Sequence, residues 1–322
     1  MSSRCRGGAR MISAPPLPAT DCPLCATSTM QPIAQLAGDA AITRCRKCGL
    51  ARGEHRACAE DASDHFRGLD AARYLRSVGA TRMCSYERLL REVDLLRGGE
   101  RSVSSRSKSR LWLDVGCSYG WLLERVREAG FEALGLEPSP AAATEARTQG
   151  LRIIEGLFPN DLPSYVRPAV ISFMDVLEHL PDPVAALIAA REALAPDGLV
   201  VVQVPDQSCL LYRLAEGMCR LTGGRTSFAL RRLWLVGFDF PHRFYFTRQT
   251  LQAAMTAAGL QVQRTYRTPI GSPAAALDRV AYTQSGRVSF KDRCVALAVA
   301  GINTFDALSG YGGLLTMIAR KG

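Results

Sequence analysis

Between residues 111 and 206, short runs that are apolar throughout alternate with stretches of helical period. Residues 111–116, 133–138, 151–156, 169–176 and 199–205 read as strands. The intervening stretches read as helices with clear boundaries. Residues 121–130 form an amphipathic stretch closed by Gly130. Ser139 caps the next helix, Pro140 opens it and Gly150 ends it. Asp182 and Pro183 start a third, with Val184, Leu187, Ile188 and Leu194 on one face. Strands without polar alternation are buried on both faces, and strands separated by helices run parallel. The pattern therefore specifies a parallel sheet with helices on both sides. Further runs at 260–268 and 313–321 read as strands, and 248–258 and 286–308 as helices, giving an α/β sheet of seven strands.

The chain has 322 residues, 47% of them apolar and 22% charged. That balance excludes a disordered tail protein, a collagen and a coiled coil. No run approaches the ~18 unbroken apolar residues of a membrane span. Residues 1–20 read as a flexible arm lacking the apolar core of a secretory signal, so a cytoplasmic location is expected. The chain divides into that arm, a cysteine-rich module (21–60), a helical connector and basic linker (61–110), the alternating core (111–206), an insertion (207–240) and the rest of the core (241–322).

Cysteine is the second constraint. The chain has 11, and Cys22, Cys25, Cys45 and Cys48 form two C-x2-C pairs separated by nineteen residues. Paired knuckles at this spacing place four thiolates at the corners of a tetrahedron, which suits structural Zn²⁺ and leaves no coordination position open. Chelation is expected to unfold 21–60 and leave the core folded. The formal charge of +10 comes almost entirely from arginine, lysine occurring only at Lys47, Lys108, Lys291 and Lys321. Four zinc-bound thiolates lower it to about +8. This surplus is either a solvated basic surface or a footprint for an anionic partner such as nucleic acid.

The first strand of the core runs through Asp114 into Gly116, Cys117, Ser118 and Gly120, and then into a helix. The glycines let the backbone pass close to a ligand, and the helix start supplies unpaired N–H donors. Glu137 ends the next strand, where a carboxylate accepts both hydroxyls of a ribose. The spacing is not the G-x-G-x-x-G of a dinucleotide site, and no G-x-x-x-x-G-K-[ST] is present.

The segments LDVGCSYG (113–120), GLEPS (135–139), DVLEHLPDP (175–183) and LAPDGLVVVQVP (194–205) resemble the successive motifs of class I S-adenosylmethionine (SAM)-dependent methyltransferases. With the N-terminal four-cysteine module, the chain is similar to bacterial sugar and natural-product tailoring methyltransferases. The resemblance implies a Rossmann-like seven-stranded core with a small zinc ribbon and a helical lid insertion. It implies that Asp114, Gly116, Cys117, Ser118, Gly120 and Glu137 line the cofactor's methionine and ribose. Leu157 and Phe158 would flank its adenine, and Asp175 would face the methionine end. Ser118 departs from the family, which has glycine there.

Three candidates remain for catalysis: His179 after the fourth strand, and His242 and Tyr245 in the aromatic segment 238–247. His179 is either a general base or, with Glu178, a loop-fixing residue. His242 and Tyr245 either overlie the transferred methyl or pack beneath the insertion. Asp175, Glu178, His179 and His242 also resemble the ligands of metal-dependent RNA 2′-O-methyltransferases and quinone-precursor O-methyltransferases, which implies Mg²⁺ or Mn²⁺. The insertion, with Leu210, Leu211, Leu214, Met218 and Leu221 among five arginines, reads as a lid, a plain cap or a membrane-surface helix. Methyl transfer to O, N or C of a small molecule is the expected function. RNA methylation and a non-catalytic SAM-binding scaffold are the alternatives.

Overall fold

The computed structural model describes residues 21–36, 40–54, 71–98, 109–236, 240–270, 276–281, 289–309 and 312–322. The arm 1–20, most of the linker, His55, Cys58, His65, Phe238 and Asp239 lie outside them. Among the described residues the first elements are three short strands, β1 (Met30–Gln35), β2 (Ala41–Cys45) and β3 (Ala51–Glu54), and a long helix, α1 (Ala71–Arg97). The alternating core follows as β4 (Leu111–Val115), α2 (Trp121–Glu128), β5 (Glu132–Glu137), α3 (Pro140–Thr148), β6 (Arg152–Glu155), β7 (Val170–Met174), α4 (Pro183–Ala193) and β8 (Leu199–Pro205). The insertion holds α5 (Leu210–Leu221) and α6 (Phe228–Leu233). A two-residue strand β9 (Phe244–Tyr245), α7 (Arg248–Ala257), β10 (Leu260–Thr268), α8 (Ala276–Ala281), α9 (Phe290–Leu308) and β11 (Leu314–Lys321) complete the chain.

Seven strands form one sheet in the order β6-β5-β4-β7-β8-β11-β10. Pairings among β4–β8 are parallel, whereas β11 lies antiparallel between β8 and β10. Strand order reverses between β4 and β7, which opens a crevice beyond their carboxyl ends. The helix boundaries follow local chemistry. Ser139 accepts a hydrogen bond from the Ala142 amide, Asp182 from the Ala185 amide, and Thr247 and Thr250 form a reciprocal capping pair.

Two apolar layers flank the sheet. Leu113, Val115, Ile171, Phe173, Val200 and Val202 pack against α4 and α7. Trp112, Val170, Leu199 and Val201 pack on the other face against Leu89 and Val93 of α1 and Leu122 and Val126 of α2. Each fully buried large apolar side chain contributes roughly 1.5–3 kcal/mol.

The cysteine-rich module is joined to the core more closely than its sequence suggests. β3 pairs antiparallel with β9, so β1-β2-β3-β9 is one sheet. Cys22, Cys45 and Leu50 share a cluster with Phe244 and Phe246 of the core. The opposite face, carrying Leu36, Ile42 and Ala51, packs on Tyr212, Ala215 and Cys219 of α5 and on Leu230 and Trp234. Arg44 of β2 pairs with Glu216 of α5 at 2.7 Å. The inner faces of the insertion's helices are thus spent on the module's sheet.

Gly135 of β5 sits where the strand, the Cys117 turn and α2 pack closely. A Cβ there would meet the Cys117 sulfur, and would lie 2.7 Å from Ile153 Cδ1 and 2.9 Å from Leu123 Cδ1. Gly135→Ala is expected to lower unfolding free energy by about 1–3 kcal/mol. Urea denaturation checks this, and an unchanged midpoint would show that the space is larger than these contacts imply.

Candidate functional site

The first strand carries its own device for aiming Asp114. The Trp112 indole N–H donates to Ser172 Oγ at 2.8 Å, and Ser172 donates to Asp114 Oδ1 at 2.6 Å. An indole only donates, so the Ser172 hydroxyl accepts on that side and its own proton is left for Asp114 Oδ1. Asp114 is 3% exposed. Burial raises its pKa to about 7, opposed by the Ser172 hydrogen bond and by Arg82.

Beyond Asp114 the backbone enters the left-handed region three times, at Gly116 (φ 67°), Ser118 (φ 50°) and Gly120 (φ 82°). Glu137 at the end of β5 holds this turn. Its carboxylate accepts the Ser118 amide at 2.8 Å and the Ser139 amide at 2.9 Å. Burial raises the Glu137 pKa, and the two amides oppose that shift. A turn of backbone donors beside a strand-end carboxylate fits a nucleoside carrying a charged tail. Ser118 pays for its side chain with a strained φ, which explains why glycine suits this position. Cys117 is buried against Gly135 and points away from the crevice side of the turn. Leu157, half exposed, and Phe158, edge-on to Phe173 at 5.5 Å, follow β6.

Asp175 follows β7 in a left-handed conformation (φ 57°). Its carboxylate pairs with Arg82, a residue of α1. Tyr86, one turn further along α1, is 3% exposed, and burial pushes its phenol up to about 12, with Arg82 opposing. Ser85 donates to Gln203 Oε1 at 2.8 Å. Helix α1 therefore walls the crevice, a role the sequence reading did not assign. The available signal was Arg82 and Tyr86 at a spacing of four, with Leu89 and Val93 continuing the apolar face.

The next turn brings three side chains together. Glu178, His179 and His242 each offer a ligand atom within 4.8 Å of the others. The imidazoles lie 4.7 Å apart by ring centroid. His179 Nδ1 is 3.2 Å from the Pro241 carbonyl. A carbonyl only accepts, so Nδ1 carries the proton and the lone pair is at Nε2. Glu178 is 1% exposed, and neither carboxylate oxygen has a hydrogen-bond partner. Burial raises its pKa, and the charge on Asp175 adds to the rise. Asp175 is not in this group, its carboxylate being turned to Arg82. Tyr245 contributes no ligand atom to this group: its ring stands edge-on to His242 at 5.3 Å and packs with Trp234 and Tyr212, and its hydroxyl donates to the Leu233 carbonyl at 3.1 Å.

The four module cysteines form a second cluster, with all sulfurs within 4.8 Å of one another. Cys22 and Cys48 are 3.4 Å apart and Cys25 and Cys45 are 3.5 Å apart, all as free thiols. Tetrahedral zinc–thiolate geometry puts sulfurs ~3.8 Å apart. Burial raises Cys22 and Cys48. At Cys45 burial also acts upward, but the Thr29 hydroxyl and the Cys48 and Lys47 amides bring the thiol down to about 5.

Comparison with known proteins gives a family and a fold. A family model described as a methyltransferase domain matches residues 86–265. The ubiquinone biosynthesis O-methyltransferase of Actinobacillus pleuropneumoniae is 32% identical over 113 residues, covering 32% of this chain and 48% of that protein. Its namesake from Cereibacter sphaeroides is 37% identical over 109 residues, covering 32% and 44%. The matched stretch thus spans about half the length of these curated relatives or less. A complex of the Haloferax volcanii Trm112 methyltransferase activator with a methyltransferase matches with a TM-score of 0.51 at 16% identity, covering 81% of this chain and 97% of that one. That likeness is one of fold.

The buried state of Asp114 gives a pH dependence with a definite sign. A carboxyl whose folded pKa is raised binds more protons folded than unfolded. Its stabilising contribution is full below pH ~4 and is lost as pH rises towards 7. The change is up to ~4 kcal/mol. Asp114→Asn is expected to flatten this fall and to be more stable than the parent above pH 7. Urea titrations across pH 4–8 check it, and parallel curves for both proteins would contradict it.

Proposed function

The chain belongs to the methyltransferase domain family, and on that premise we propose that it is a SAM-dependent enzyme that methylates an oxygen of a small-molecule acceptor. The observation that carries the oxygen assignment is the group of buried Glu178 and His242 with partly exposed His179, beside Asp175. SAM, when bound, supplies a methyl group on a positively charged sulfur that leaves as a neutral thioether. An alcohol or phenol acceptor must lose its proton to attack well, whereas the methyl donor itself needs chiefly alignment. His179 takes that proton at Nε2, because its Nδ1 is held by the Pro241 carbonyl. His242, packed against the His179 ring, keeps that ring aimed. Glu137 receives the ribose hydroxyls, and the turn from Gly116 through Cys117 and Ser118 to Gly120 accommodates the methionine and ribose. Leu157 and Phe158 flank the adenine, and Asp175 with Arg82 forms the polar wall at the methionine end. Tyr245 supports His242 through packing. The ubiquinone-pathway names of the curated relatives support a small-molecule oxygen acceptor.

Incubation with methyl-labelled SAM and a host extract tests the acceptor class. Label is expected in organic-soluble small molecules, and label confined to RNase-sensitive polymer would overturn it. Glu137→Ala is expected to weaken SAM binding at least tenfold by calorimetry. His179→Gln should lower kcat by about 10²–10⁴ while leaving SAM affinity intact. Equal losses of SAM affinity in both variants would refute the division of roles.

The same group supports a second reading. Two buried, unpartnered Glu178 oxygens with two imidazoles make a mixed O/N site that suits Mn²⁺ better than Mg²⁺, and a cation there would lower the acceptor hydroxyl's pKa. The module's four thiols fit Zn²⁺ in a closed, structural role. Elemental analysis is expected to find one tightly held zinc per chain, lost in Cys45→Ser. Purified protein without zinc would remove the ribbon assignment.

A further inference from the structure

The insertion's inner face is used up by the module, and its outer face has a different character. Leu214, Met218 and Leu221 stand on one stripe of α5, at 50%, 38% and 90% exposure. Phe228, at the start of α6, is 60% exposed. Around them Arg213, Arg220 and Arg225 are also exposed. The acid among them, Glu216, is buried and bound to Arg44 at 2.7 Å, with Arg220 at 3.8 Å. Between residues 208 and 236 the sequence has five arginines and no other acid. The outer face therefore carries apolar anchors among an excess of arginine, Glu216 being the one acid of the segment and shared between Arg44 and Arg220.

We propose that the outer face of α5 and the start of α6 dock this enzyme onto an anionic lipid bilayer. Leu221 and Phe228 enter the acyl boundary, and the arginines meet lipid phosphates. A helix that presents an apolar stripe flanked by arginine lies in the plane of such a surface, and each basic residue near it adds attraction. Charge selects this occupant over a second copy of the chain. A two-fold contact would place this patch against itself and bring the arginines of both copies together. Helix α9 packs on α5 and exposes Leu297, Phe305 and Leu308, at 74%, 58% and 85%, so the apolar character extends beyond the insertion.

Co-sedimentation of the full chain with vesicles tests this. Binding is expected to phosphatidylglycerol–phosphatidylcholine vesicles and to be much weaker to phosphatidylcholine alone. It should fall steeply between about 0.1 and about 1 M salt, where the screening length shortens from about 10 to about 3 Å. The double variant Leu221→Glu, Phe228→Glu alters only exposed side chains, and should lose vesicle affinity on the order of tenfold or more. Its SAM affinity and circular dichroism should match the parent. No binding to anionic vesicles, or equal binding by the double variant, overturns the proposal. So does a dimer that the double variant dissolves while vesicle binding is absent in both.

Discussion

The main chain of one residue, Arg243, ties the separate parts of this protein together. The Arg243 amide donates to the Glu178 carbonyl at 2.8 Å, and the Arg243 carbonyl accepts the Gly53 amide at 2.9 Å. On one side lies the turn carrying Glu178 and His179, on the other the last strand of the cysteine module. His242 immediately precedes Arg243, and its own amide donates to the Trp234 carbonyl of the insertion at 3.1 Å. Buried main-chain groups must find partners, and each of these partners comes from a different segment. The position of His242 against His179 therefore depends on the module and the insertion both being in place.

The same economy explains the chemistry at the crevice. The carboxyl ends of β4, β5 and β7 bring Asp114, Glu137, Asp175 and Glu178 into one region of low dielectric. Burial favours the neutral form at Asp114, Glu137 and Glu178, and the hydrogen bonds and Arg82 only partly offset it. Such a region favours a ligand that brings hydroxyls and positive charge, and a sulfonium nucleoside has both. The proposed cofactor site lies where open α/β sheets reverse strand order. The closing antiparallel β11 leaves that edge untouched while sealing the far side of β8.

Much of this was legible in the sequence. The strand positions follow from uninterrupted apolar runs, and the turn after Asp114 from glycines that adopt positive φ. The two C-x2-C pairs announced a four-sulfur cluster through spacing alone. What was not legible depends on pairing across long separations. β9 has two residues and no periodicity, so nothing local marks Phe244–Tyr245 as the strand that receives β3. Nothing in the sequence pairs Arg82 with Asp175, 93 residues away, and that contact exists because α1 lies over the end of β7. The insertion's helices show an apolar face in sequence, but not that the face meets Ile42 and Ala51 of the module. The expectation that chelation unfolds 21–60 and leaves the core folded was drawn without the β3–β9 ladder, which the sequence does not show.

The most direct test of this account is site-resolved hydrogen exchange of the full chain before and after zinc is stripped by chelation. Coupling through Arg243 predicts faster exchange at the cysteine loops and also at the amides of Gly53, His242 and Arg243, while the amides of β4 and β7 stay protected. Faster exchange confined to residues 22–48, with the Gly53 and Arg243 amides unchanged, would contradict it and make the module a separate unit.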